Sequence, residues 1–504
     1  MKLTSKRCLG LFALGLILYS CSTGMETGGW YEVSSEQQEG IFIPGNMTSR
    51  GKCTGTFYVD QGKRYAEKTA VEVKAGLGKT KMVLPDGQEL AIRVKAYEAP
   101  ACEELPEVRL YTQPRYEVRE SPDQHFGQAR GFWSSYPCKH GESFGVTFGR
   151  KTAEILSMKD QVDLSVDIYT PVGDEASGKR PLILLIHGGA FFNGDKHDPA
   201  FVAWCRHFAS LGYVAASVNY RLGFRPTRSE IQRAGYRAVQ DANAALRYLV
   251  SRKDELRIDP DLVFVAGTSS GGITALNVSY MTEKDRPEAT RSGKQGDEGP
   301  IDAVNPGCRA PFGIRAVGNM WGAVNDLGIL RNQRIPVISF HGENDPIVPY
   351  KCGYPFQNLL GSLNVGHLLF DQMYGSFEID RQLKQQGVHT ELHVYPTDKH
   401  GMHMDDDGSL NQLFYTIEEK LTAFFSGEME SEPVSLTADP ADPQLLHINP
   451  THIRRSYWSL QGGVFRSTSG DQARILLFPD AAEASVTVSG DYLSGMTFHE
   501  TLAL

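Results

Sequence analysis

Two adjacent serines, Ser269 and Ser270, stand in the stretch V-F-V-A-G-T-S-S-G-G at residues 263–272. Leu262 to Ala266 reads as a strand buried on both faces, and the turn signal Asp259-Pro260-Asp261 marks its start. Beyond Gly272, the residues Ile273, Leu276, Asn277 and Tyr280 recur at helical spacing. A serine at such a strand-to-helix turn presents its hydroxyl at the carboxyl edge of a sheet. The turn needs glycines on either side, because a Cβ there collides with neighbouring backbone. Gly267 and Gly271 bracket Ser269 at the right spacing, whereas Ser270 has Thr268 two residues before it. Ser269 is therefore the candidate nucleophile, and Ser270 offers its backbone N–H.

A serine hydroxyl is a poor nucleophile at neutral pH. It needs an imidazole to take its proton and a carboxylate to hold that imidazole in one tautomer. Residues 336–349 read P-V-I-S-F-H-G-E-N-D-P-I-V-P, a buried strand and glycine turn leading to Asp345. Another strand, T-E-L-H-V-Y-P, precedes Lys399-His400-Gly401. The chain order Ser269, Asp345, His400 puts each group just after a strand. Asp326, after M-W-G-A-V-N, competes for the acid role. His403 lacks a following glycine and lies farther from its strand, while His389 and His393 read as surface or strand residues. Attack on a carbonyl also creates an alkoxide that wants preset backbone donors. The run P-L-I-L-L-I-H-G-G-A-F-F-N-G at 181–194 supplies a buried strand and then small residues whose amides can turn inward. His187 in that run reads as a hydrogen-bonding group that shapes the loop.

These groups need elements to hold them. V-D-L-S-V-D-I-Y-T-P alternates before the 181–186 strand, and Tyr213 to Tyr220 is a further buried strand after a helix carrying Trp204 and Phe208. Val239, Ala242, Ala245, Leu246 and Leu249 mark another helix. Strands alternating with helices predict an α/β fold with a doubly wound, mostly parallel sheet, its site at the carboxyl ends of the strands. Two insertions break the pattern. Residues 282–315 are charged and Gly/Pro-rich and read as a mobile loop. Residues 350–378, rich in Tyr, Phe and Leu, read either as a cap over the site or as core packing.

The motifs HGGAF, GTSSGG, HGENDPIVP and KHG resemble those of the α/β-hydrolase esterases and lipases, in the carboxylesterase and hormone-sensitive-lipase-like group. The resemblance covers residues 150 to 426. It implies oxyanion donors from Gly188, Gly189 and Ala190 together with Ser270, without deciding which of the three loop amides point inward. The elbow departs from commoner esterase forms in having Thr268 and Ser270 where an acidic residue and alanine are usual.

Composition bounds the rest. The 504 residues exceed one compact domain. With 51 basic and 60 acidic residues the net charge is −9, which gives no electrostatic reason to expect nucleic acid. Lys2, Lys6 and Arg7 precede an apolar stretch, Cys8 to Tyr19, too short to span about 30 Å of hydrocarbon. The following Leu18-Tyr19-Ser20-Cys21 resembles a bacterial lipoprotein processing box. That predicts a signal peptide at 1–20, a lipid anchor on Cys21 and an exported, membrane-attached protein of the bacterial cell envelope. Of eight cysteines, Cys53 with Cys102 and Cys308 with Cys352 are candidate pairs in an oxidising compartment. None has C-x-x-C spacing, so no structural zinc is expected. A β-rich region occupies 21–149, with a strand module near 40–125 turning at Pro85-Asp86-Gly87. An acidic linker covers 427–445, and a β-rich segment 446–504.

The leading expectation is a serine carboxylic-ester hydrolase acting through an acyl-enzyme on a small-molecule or polysaccharide-linked ester, with no metal or organic cofactor. A serine peptidase of prolyl-oligopeptidase type shares the triad order, but the region before the hydrolase segment is too short for that group's propeller. A non-catalytic binding lipoprotein that kept the fold is the third reading. Composition does not set an oligomeric state.

Overall fold

The computed structural model describes residue 25 and residues 31–36, 39–47, 52–60, 65–74, 76–96, 111–135, 144–173, 179–291, 296–356, 366–429, 435–449, 453–461, 463–469, 471–477, 484–492 and 497–504. The chain divides into two compact units, one holding residues 1–105, 433–490 and 498–504, the other 106–432 and 491–497. Cys21, Cys102 and Cys138 lie outside the described residues, as does the whole of the expected signal peptide.

In the first unit, six antiparallel strands between Tyr31 and Ala96 close a barrel, the first strand pairing with the last. Period-two alternation dictates it. Along Glu89–Ala96, Leu90, Ile92 and Val94 face inward to join Phe42, Phe57 and Val73. The expected turn falls at Gly87, whose φ is 84°. The carboxyl-terminal strands form a four-stranded and a three-stranded sheet. One of them, Ser435–Ala438, lies in the segment expected to be a linker, with Leu436 buried. The 427–445 reading therefore fails: a four-residue strand is too short to betray itself by alternation.

The second unit is built on an eight-stranded sheet. Its strands are β1 (Glu117–Gly131), β2 (Lys159–Val172), β3 (Arg180–Ile186), β4 (Val214–Val218), β5 (Ile258–Thr268), β6 (Ile314–Met320), β7 (Val337–Gly342) and β8 (Thr390–Tyr395). Their order is β1-β2-β4-β3-β5-β6-β7-β8. Only the pairings of β2 with β1 and β4 are antiparallel. The mostly parallel, doubly wound sheet expected from the sequence is thus present. Its start at residue 150 is corrected, since β1 pairs along β2 from Glu117. This edge strand is broken by three register shifts and buries little beyond Phe126, so no periodicity announced it.

Strands buried on both faces explain the apolar runs. Leu182, Leu184, Ile186, Val263 and Val265 face α2 (Arg228–Ser251) and α3 (Ser270–Tyr280). Ile183, Leu185, Phe264 and Ala266 face α1 (Pro199–Leu211) and the later helix Gln412–Glu428. Each such side chain contributes about 1.5–3 kcal/mol on burial. The helix starts follow local chemistry: Asp198 accepts the Ala200 N–H ahead of Pro199, and Thr227 accepts the Glu230 N–H.

The described residues of the 282–315 segment are tethered, where composition predicts a mobile loop. Arg233 donates to the carbonyls of Ala289 and Gly296 at 2.7 and 2.9 Å. Arg247 donates to those of Val304 and Cys308, both at 2.6 Å. These arginines come from the inner face of α2, so the tether is invisible in the loop's own sequence. Cys308 and Cys352 are free thiols, which removes that candidate disulfide; Cys308 instead directs its thiol at the Arg247 carbonyl.

Candidate active site

β5 ends in the bend that carries Ser269. Its φ of 51° and ψ of −120° lie where a non-glycine residue costs about 1–3 kcal/mol. The bend is held by the Ser269 N–H donating to Met320 O at 2.8 Å and the Ile273 N–H donating to Ser269 O at 2.9 Å. A Cβ on Gly271 would lie 2.0 Å from Ile186 O, and one on Gly267 2.4 Å from Gly271 O. Strand β3 therefore passes the elbow at a distance only glycine permits.

The three groups predicted from sequence meet here. Ser269 Oγ lies 2.7 Å from His400 Nε2, and His400 Nδ1 lies 2.7 Å from Asp345 Oδ2. A carboxylate only accepts, so Nδ1 carries the proton and Nε2 is free to receive the serine's. Asp345 sits just past β7 with its side chain fully buried. Its other oxygen accepts the N–H groups of Ile347 and Val348 at 2.8 and 3.0 Å, which fixes the carboxylate plane. His341 lies beside it, Nε2 3.6 Å from Asp345 Oδ2. Burial lowers the His341 pKa to about 4, so the ring is neutral. It donates to Val348 O at 3.1 Å and accepts from the Ser376 hydroxyl at 2.7 Å. Sequence reading passed over His341 because it stands inside a strand.

The loop after β3 faces the hydroxyl. Gly189, Ala190 and Phe191 have φ values of 113°, 53° and 58°, a left-handed run that turns successive amides. A Cβ on Gly188 would come 3.3 Å from Ser269 Cβ, and one on Gly189 2.0 Å from Asn193 O. His187 is not a base: its Nδ1–H donates to Gly188 O at 2.7 Å, and burial lowers its pKa to about 4. Tyr220, at the end of Y-V-A-A-S-V-N-Y, braces the loop. Its hydroxyl donates to His187 O at 2.9 Å and lies 3.3 Å from Ser270 Oγ, with the ring stacked on His187.

Gly188, Gly189, Ala190, Ser269 and His400 line one cavity of about 300 Å³, with Phe201, Trp321 and Phe356 on its walls. Ser270 heads α3, where the first turn leaves backbone N–H groups without helical acceptors. The competitors stand outside the Ser269–His400–Asp345 relay. Asp326 caps a short helix by accepting the Gly328 N–H. His403 stacks on Trp204 and meets Trp321 at a tilt on the cavity wall, neutral because burial lowers its pKa to about 4. His389 and His393 pair with Glu428 and Glu391. Of the 350–378 segment, Phe356 reaches the cavity wall, while Met373–Gly375 pairs with Ala323–Val324 in a small sheet. Residues 357–365 lie outside the described residues.

The BD-FAE family model matches residues 166–306, which contain both the glycine-rich loop and the elbow. Over these residues the chain is similar to the α/β-hydrolase esterases and lipases. The chain is 26% identical over 215 residues to gut esterase 1 of Caenorhabditis elegans, spanning 42% of this chain and 34% of that protein. It is 29% identical over 107 residues to the probable carboxylic ester hydrolase LipM of Mycobacterium tuberculosis, 21% of this chain and 23% of the relative. The chain thus spans 34% or less of the length of these relatives. Among solved structures, the apo form of Thermogutta terrifontis esterase 2 is 20% identical with a TM-score of 0.36, covering 53% of this chain and 90% of that one.

Proposed function

We propose that this protein is a serine carboxylic-ester hydrolase working through an acyl-enzyme. The observation that carries the reading is the unbroken relay from Ser269 Oγ through His400 to buried Asp345, both links at 2.7 Å. Ser269 attacks the ester carbonyl as its proton passes to His400 Nε2. Asp345 stabilises the resulting imidazolium and keeps it oriented. Amides of the 188–190 loop and of Ser270 receive the oxyanion. His400 then protonates the leaving alcohol, and a water activated by the same nitrogen releases the acid. Esterase names among the relatives support the same chemistry.

Hydrolysis of p-nitrophenyl acetate and butyrate, set against a peptide anilide, tests it. Ester turnover that Ser269→Ala abolishes is the expected result; turnover of the anilide alone points to a peptidase and overturns the reading. The amino-terminal run ending at Cys21 supports export and lipid anchoring in a bacterial envelope. Detergent-phase partitioning that Cys21→Ser eliminates is expected, and equal partitioning of the two proteins would refute the anchor.

A further inference from the structure

Lys196 lies on the loop joining β3 to α1, beyond the bent 189–191 segment, and its side chain is 1% exposed. Lysine is almost never fully buried unless paired. Here Nζ donates to Asp167 Oδ1 on β2 at 2.5 Å and to Asp123 Oδ1 on β1 at 2.8 Å, and lies 3.1 Å from His197 Nε2. His197 Nδ1 is 2.6 Å from Asp195 Oδ1 and its Nε2 3.2 Å from Asp167 Oδ2; with the ring proton on Nδ1, Nε2 accepts from the ammonium. All three ammonium donors are thereby used. The oxygens and nitrogen of Asp123, Asp167 and His197 converge within 4.8 Å, a donor set fit for a cation. The lysine already supplies that cation.

The backbone of the same residue is held as well. The Lys196 N–H donates to Asn219 Oδ1 at 2.7 Å, and its carbonyl accepts from Ser217 Oγ at 2.9 Å. Buried ion clusters are seldom the cheapest route to stability, since apolar side chains of equal volume do as well or better. What this cluster adds is register. Its acceptors come from β1, β2 and the loop itself, so the loop has one seat. Between this seat and the Tyr220 brace lie residues 189–195, among them Ala190 and Phe191, two non-glycine residues in the left-handed region, each strained by about 1–2 kcal/mol and ready to relax if an end is freed.

We propose that Lys196 is a positioning residue for the oxyanion loop: an internal cation that locks the loop's far end to β1 and β2 and so keeps the 188–190 amides aimed at the Ser269 hydroxyl. The inference rests on the esterase reading above. Its test is Lys196→Met, followed by ester kinetics and by hydrogen exchange of the 188–198 peptide against β5. The expected result is a kcat lower by about 10- to 100-fold with KM within about twofold, because misaimed donors weaken only the transition state. Exchange should quicken in the loop and not in β5. A kcat equal to wild type with only a lower melting temperature overturns the proposal, as does a KM that rises in step with any loss. Should Lys196→Met fail to fold, Asp123→Ala serves, because that carboxylate is 72% exposed. It should lower kcat by about 2- to 5-fold at constant KM, and an unchanged kcat refutes the role. Failure of the wild-type protein to hydrolyse any ester would sink the esterase reading instead, and the exchange comparison would still decide whether Lys196 holds the loop.

Discussion

The two halves of the site, the Ser269 elbow and the 188–198 loop, are held in opposite ways. The elbow is fixed by atoms that are missing: Gly267 and Gly271 let β3 and α3 come within the reach of a Cβ, and backbone hydrogen bonds do the rest. The loop is fixed by atoms that are added, the Tyr220 hydroxyl at one end and the buried Lys196 cluster at the other. Sterics make the Ser269 turn rigid, and polar tethers make the 188–190 loop rigid. On the proposed function, damage to the elbow should therefore unfold the protein or silence its ester turnover outright, whereas damage to the loop should lower kcat by steps.

The largest effects belong to the relay. Asp345→Asn should cut kcat by about 10⁴-fold, because the amide favours the wrong His400 tautomer; a loss below tenfold in steady-state kinetics would break the account of the triad. Next comes Gly271→Ala, whose Cβ would meet Ile186 O at 2.0 Å. Overpacking against backbone should cost about 3 kcal/mol in urea melts. Gly427→Ala, with nothing within 4 Å of its Cβ, is the control and should not destabilise. Tyr220→Phe removes one tether and should lower kcat about 3- to 10-fold, with melting nearly unchanged. Equal sensitivity of Gly271 and Tyr220 in stability would erase the contrast between the two halves.

The smallest effect is a pH slope. Burial lowers His187, His341 and His403 to about 4 in the folded protein, against about 6.5 when unfolded. Between these values the unfolded chain binds more protons, so stability rises with pH from about 4 to 6.5 and is lost as pH falls through that window. His403→Phe, which also deletes an Nδ1 with no partner, should flatten the acid side of a melting-temperature curve. An unaltered slope would remove His403 from the set.

Legibility in the sequence followed the same division. The strands β3, β5 and β7 stood out as apolar runs because a parallel sheet buries both faces, and the elbow stood out because its sterics demand glycine at fixed spacing. Asp345 and His400 could be found because each follows a strand end. The loop's tethers were not legible. Tyr220 closes a strand that reads as plain core, and Lys196, Asp167 and Asp123 are three charges scattered over 74 positions (123 to 196) that only the sheet order brings together. The same is true of the α2 arginines that pin the 282–315 segment. Long-range polar partners carry no local period. Edge strand β1 escaped notice for a related reason, since its bulges and exposure erase alternation.

The central claim is that the Ser269 hydroxyl forms the covalent intermediate. Quenching turnover of p-nitrophenyl butyrate in acid and sequencing the modified peptide by tandem mass spectrometry tests it most directly. A butyryl group on Ser269 is the predicted result. Acylation of Ser270 or of another residue, or a burst of nitrophenol with no adduct at all, would contradict it.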